Sequence, residues 1–383
     1  MQPVLRVESF GYNSRMSKAK KKLAELQMIE SGKYPPRHFP SREDLIAKYK
    51  KAWSKADFEK NLPLLKKSEG YESFTFILET DAARLRQAAS VFGWKLPEPV
   101  ILGTLPYGSP FAYVETFGPP KEFLIVFSEA MFLFLYVSAK AVASCLRFKH
   151  KRGALEIDLR VESAINAIEN NPKLLPMFED ILLCTLFEKH TGVFASAQHI
   201  VNPTRQFFAI ILTDISEVFL LGHEFAHAMG KDSGTDGMEN DAVVIHNIPE
   251  YDTNWKSELR ADTIGAILAI EVGFETDIHP TASIMGIDFC LTMLDILVRG
   301  VHIAKGEFEC TSMECKTHPP LSLRRECFRR FAKENMRHHE IDFDLESLKA
   351  IESIIEYLWS RTKPSVLKMA ADGVALSPLW NEA

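Results

Sequence analysis

The sequence predicts an α+β protein, mostly helical, and three observations lead there. Apolar segments of strand length are concentrated between residues 73 and 128. Beyond them, long runs repeat apolar residues every three to four positions. Two of those runs carry polar pairs at i and i+4, His223 with His227 and Glu258 with Asp262, a spacing that sets both members on one helical face. At 383 residues and 46% hydrophobic composition, the chain can bury a large core or divide into two domains.

The elements are expected in the following order. Residues 1–70 read as a basic helical arm, with 16 Lys/Arg against 8 Asp/Glu, while the remainder holds 29 against 43 and gives the chain its net charge of −6. Lys18, Lys20, Lys21 and Lys22 are its densest cluster, and Ser41 with Asp44 resembles a capping box for a helix through Trp53. Sparse aromatic residues favour a solvated arm, or one packed on the acidic body, over a nucleic-acid contact. Strands are expected at 73–79, 99–105, 111–118 and 122–128, with a helix at 81–94 and Pro-rich turns between them. Helices follow at 129–148, 154–170 and 172–190. The apolar stretch Ala130–Val137 is too short to cross a bilayer, so no stable membrane span is expected. Met1 to Arg15 is mixed and polar, unlike a secretory signal. Six irregularly spaced cysteines suit a reducing, cytoplasmic location.

Residues 206–212 form a continuous apolar run of strand length, followed by Asp214 or Ser216 as N-cap and a helix stopping at Gly230. That helix carries His223-Glu224-Phe225-Ala226-His227. Its two imidazoles can grip one metal ion, with Glu224 projecting beside them toward a metal-bound water. A plain buried helix with two satisfied histidines is the competing reading. A second helix opens near Asp252 or Thr253 and ends before Gly273; it offers Glu258 as third ligand and Asp262 to hold a ligand histidine by its free ring nitrogen. Gly265, Ala266 and Ala269 would let this helix approach the first closely. Helices at 280–304, 319–335 and 343–371 close the body, and Lys231–Asn254 reads as a mobile lid or an inert insertion.

H-E-F-A-H followed by E-L-R-A-D resembles the gluzincin metallopeptidases. Thr317-His318-Pro319-Pro320, with Arg324 six residues past the histidine, resembles a segment of the HtpX and CAAX prenyl protease family, here without its transmembrane helices. The resemblance covers about residues 206 to 330. It implies a zincin-like metallopeptidase domain over 200–383, after the arm at 1–70 and a mixed α/β region at 71–199. It further implies one Zn2+ per chain on His223, His227 and Glu258, Glu224 as general base, Asp262 as the supporting carboxylate, and His318 beside the substrate oxyanion. The function expected is zinc-dependent hydrolysis of a protein or peptide substrate. A catalytically silent, zinc-stabilised scaffold or a partner-binding regulatory protein is the alternative. Tyr251 is a second candidate at the oxyanion. Cys310, Cys315, His318 and Cys327 have a competing reading as a structural zinc site, and His199, His246 and His279 lack a partner at ligand spacing.

Overall fold

A computed structural model of the chain describes residues 17–33, isolated positions between 47 and 59, and residues 74–106, 110–151, 154–187, 201–233, 253–307, 318–338, 345–377 and 380. Helix dominates, with one small sheet and one hairpin. Of the expected helix from Ser41, positions 47, 50 and 51 are helical; the rest of it, residues 234–252 of the lid with Tyr251, and His199, His246, Cys310, Cys315 and Thr317 lie outside the described residues.

The sheet forms where the sequence predicts. Strands β1 (Val100–Leu105), β2 (Ala112–Phe117) and β3 (Glu122–Ser128) lie in the order β1-β3-β2, with β3 parallel to β1 and antiparallel to β2. Residue alternation in β3 sends Leu124 and Val126 to one face and Ile125 and Phe127 to the other. The first face is covered by helix α1 (Lys18–Lys33), whose Ala19, Leu23 and Leu26 recur at helical spacing. Leu23 packs where Gly103 leaves room, and the Gln27 side-chain amide donates to the Thr104 carbonyl at 3.1 Å. The basic helix is thus docked on its own chain, with Lys20 and Lys21 exposed.

Three segments expected otherwise need correction. Residues 74–79 belong to helix α2 (Phe74–Val91), not to a strand. Its buried residues Leu78, Asp81, Ala82, Leu85, Ala88 and Ala89 follow the 3.6 period, and Phe76, which a strand would bury with Phe74, is half exposed. After α3 (Glu129–Cys145), capped by the Ser128 hydroxyl, the chain turns into a hairpin of β4 (Arg147–Lys151) and β5 (Ala154–Asp158). Cross-strand pairing removes 154–158 from the expected helix, leaving α4 (Val161–Glu169), followed by α5 (Leu174–Leu186).

The third correction bears on the site. The run 206–212 is the beginning of a 31-residue helix, α6 (Pro203–Ser233). Gln206, Phe208, Ala209 and Leu212 are buried while Phe207 and Ile210 are exposed, a helical spacing rather than alternation. Asn202 caps it by accepting from the Arg205 backbone N–H at 3.0 Å. Asp214 and Ser216 therefore lie well inside the helix, and Gly230 is passed through rather than ending it. Helices α7 (Thr253–Glu275), α8 (Pro280–Ala304), α9 (Leu321–His338) and α10 (Leu345–Ala371) complete the body. Both α6 and α8 are long and apolar enough to cross a membrane, and in each 72% of the apolar window is buried inside the protein, as in a core helix.

Helices α6 and α7 touch backbone to backbone. A Cβ built on Gly265 would stand 2.9 Å from both the His223 nitrogen and the Phe219 carbonyl oxygen, and Gly222 faces Gly265 in turn. Gly265→Ala is expected to cost about 1–3 kcal/mol of stability by forcing the helices apart. Gly230→Ala, with open space around it, should add roughly 0.5–1 kcal/mol through helix propensity. Urea melts of the two variants check both signs.

On the opposite flank of α6, Arg84 makes paired 2.7 Å bonds to Asp214 and a 3.0 Å bond to Asp81. Burial, then the charge of Asp214, pushes the Asp81 carboxyl up to about 7, against the pull of Arg84. Burial and the same acids push Glu217 well above the usual carboxylate range. An acid that holds its proton more tightly folded than unfolded stabilises the fold at low pH and loses that contribution as pH rises through its folded pKa. Stability should therefore decline between about pH 4 and pH 7, and Asp81→Asn, neutral throughout, should flatten that decline in urea melts at pH 4.5 and 7.5.

Candidate metal centre

One turn of α6 presents His223, Glu224 and His227. The two rings stand nearly perpendicular with centroids 4.6 Å apart, and their Nε2 atoms are separated by 3.0 Å. Across the close α6–α7 contact, Glu258 places Oε1 3.1 Å from His227 Nε2 and Oε2 3.6 Å from His223 Nε2. One ligand atom from each of the three residues fits within 4.8 Å of the others, so the group can hold a metal ion. Among the described residues it is the one such group found.

Asp262, one turn along α7 from Glu258, meets Nδ1 of His223 at 3.0 Å. The ionised carboxylate fixes a proton on Nδ1, so Nε2 is the nitrogen turned toward Glu258. From α9, Arg324 donates through Nε to Asp262 Oδ2 at 2.7 Å and through Nη2 to Oδ1 at 2.5 Å, with Nη1 3.6 Å from Glu258 Oε2. Expected in sequence as a motif landmark only, Arg324 proves to be the clamp on both acids. Two buried carboxylates one turn apart on α7 were the signal that a buried cation must meet them.

Electrostatics divide the acids. Burial alone would raise Glu258, but hydrogen bonding to His227 and the charges of His223 and Arg324 outweigh it and bring the carboxyl down to about 2. For Asp262 burial is again overcome, chiefly by Arg324 and His223, and the group stays ionised. Glu224 behaves oppositely: burial dominates and lifts its carboxyl above the ordinary value. Burial lowers His318, and it opposes but does not overcome the upward pull of Asp262 on His223.

Every predicted site residue within the described segments converges here. His223, Glu224, Glu258 and Asp262 are buried, His227 is partly so, and His318 sits at the solvent side with Nε2 3.6 Å from Glu258 Oε1 and a side chain 64% exposed. The competing cysteine arrangement finds His318 beside Glu258, while Cys327 is a half-buried free thiol. His279 accepts from the Thr281 N–H at the start of α8. Lys231, one turn past His227, reaches the Val114 carbonyl of β2 at 2.9 Å, and Lys121 donates to the Lys231 carbonyl at 2.8 Å. These two bonds tie the end of the histidine helix to the terminal strand of the sheet.

The donors fit a cation. Two imidazole nitrogens and a carboxylate oxygen converge, with a carboxylate behind one imidazole to fix its orientation. No protein-family profile matches this chain, and neither the curated proteins nor the solved structures contain a match to it. Asp262→Asn should leave the three donors in place but weaken metal affinity roughly 10- to 100-fold, measured by chelator competition.

Proposed function

We propose that the chain is a zinc-dependent endopeptidase of gluzincin type, with a zincin-like core, acting on a protein or peptide substrate. The observation that carries this reading is the division of labour on one helical turn. His223 and His227 join Glu258 in the ligand group, while Glu224, buried between them in sequence, stays outside it. A purely structural site would need the histidines but not the acid between them. The N2O donor set suits zinc, which when bound would supply Lewis acidity and a water of near-neutral pKa.

The chain's own residues account for the remaining steps. Glu224 takes the proton from the attacking water and returns it to the leaving amine. His318, on the solvent side of Glu258, donates an N–H to the developing oxyanion. Asp262 and Arg324 hold His223 and Glu258 in place. An extended substrate needs a strand edge. In the β2–β3 register, Phe111 and Ser128 bond through the backbone, so by alternation Ala112, Val114 and Thr116 direct their backbone groups away from β3. That edge, reached by Lys231, is where a peptide would add to the sheet. The thiols of Cys145, Cys290 and Cys327, none of them in a disulfide, support a reducing, cytoplasmic setting.

Glu224→Gln is expected to keep about one zinc per chain, read by elemental analysis, and to abolish cleavage of protein targets in a proteomic comparison with the native chain. Equal cleavage by both proteins removes Glu224 from the mechanism. Glu258→Ala should lose the metal itself.

A further inference from the structure

Away from the metal centre, a cavity of about 320 Å³ opens between the β4–β5 hairpin and the first turn of α6, lined by Arg147, Phe148, Lys149, Asn202, Thr204 and Arg205. We propose that this cavity binds a phosphate group carried on an apolar body, whether a soluble phosphate monoester or a lipid headgroup. Three of the residues that line it, Arg147, Lys149 and Arg205, are cationic in a chain whose net charge is −6.

One of the two acids opposite them in the hairpin is engaged elsewhere. Asp158 stands opposite Arg147 in the hairpin, but Arg160 holds it through bonds of 2.8 and 2.6 Å. Glu156 stands opposite Lys149 and offsets part of that charge. Arg205 donates through Nη2 to the Leu146 carbonyl at 3.3 Å, and its Nε is buried without a hydrogen-bond partner among the described residues. A buried donor left unmet is unfavourable, and an anion in the cavity would relieve it. Guanidinium groups also match phosphate oxygens in paired geometry.

The helix contributes in the same direction. Asn202 takes the Arg205 N–H, Pro203 has none, and Thr204, in the first turn at the positive end of α6, lines the cavity. Phe148, braced edge-on by Phe208 with ring centroids 5.6 Å apart, supplies an apolar wall. The volume is at the lower end of the roughly 300–1,000 Å³ typical of small-molecule sites. Exposed Phe207 and Ile210 on the same stretch of α6 would meet the acyl region if the phosphate belonged to a lipid.

The test titrates phenyl phosphate, with phenol as its uncharged counterpart, into the full chain by calorimetry. Three proteins are compared: wild type, the exposed double variant Arg147→Gln/Lys149→Gln, and Arg205→Gln. Wild type should prefer phenyl phosphate over phenol at least about tenfold, and each variant should lose at least about tenfold of its affinity for phenyl phosphate. No binding by wild type, or binding that survives in the well-folded double variant, overturns the assignment; the latter places the anion elsewhere, the metal centre included. Co-sedimentation with phosphatidylcholine vesicles containing phosphatidic acid then separates the sources. Wild type pelleting while the double variant does not assigns a lipid headgroup, and retained phenyl phosphate binding without pelleting assigns a soluble ligand.

Discussion

Asp262 is the point at which three helices distant in sequence become one site. Carried on α7, it accepts from His223 on α6 and from Arg324 on α9. A carboxylate buried this deeply carries a desolvation penalty of several kcal/mol unless strong partners surround it. Both partners are consequently fixed, His223 in one tautomer and Arg324 within reach of Glu258 as well. The reach of that carboxylate depends on Gly265, three residues further along the same face, because any side chain there would hold α7 away from the His223 backbone. A small residue and a charged one act together: the first sets the distance, the second uses it.

Helix α6 takes part in two clusters of buried carboxylates gathered around a guanidinium, and they behave differently. At one, Asp81, Asp214 and Glu217 surround Arg84, and the excess negative charge is relieved by holding protons, with Asp81 lifted to about 7. At the other, Glu258 and Asp262 meet Arg324, are pulled down and remain ionised. What distinguishes the second cluster is a pair of imidazole nitrogens 3.0 Å apart that share their space with Glu258. Two imidazole nitrogens and a carboxylate oxygen gathered in one place are donors that a divalent cation matches. The first cluster offers no nitrogen ligands and forms no comparable donor group among the described residues.

Much of this was legible in sequence, and the failures share a cause. β1, β2 and β3 follow from alternation and turn residues, and α8 and α10 from long periodic runs. The segments at 74–79 and 206–212 were misread because exposed positions there carry apolar side chains, Phe76, Phe207 and Ile210, which erases the polar face that marks a helix. Phe207 and Ile210 were the surviving clue, apolar residues three apart that the core does not use. His223 with His227, and Glu258 with Asp262, were legible because helical spacing is local. Arg324 as clamp was not, since its role exists only once α9 docks on α7. The basic cavity escaped for the same reason, being assembled from segments more than fifty residues apart.

The misreading of 206–212 changes how the N-terminal half relates to the chemistry. A strand directly before the histidine helix would have made the later half of the chain self-sufficient. The strand that meets the helix is instead β2, roughly a hundred residues earlier, bound to the α6 terminus through Lys231 and Lys121. α2 supplies Arg84 to Asp214 and packs Leu85 beside Gly222, at the point where α6 and α7 touch. The hydrophobic core runs from Leu78 to Leu376 without a break. On the proposed reading, a substrate at the candidate metal centre would be positioned by the sheet as much as by the helices, with α1 packed on the sheet from behind. Differences in what such a site accepts would then be written on residues 112–117 rather than beside the histidines.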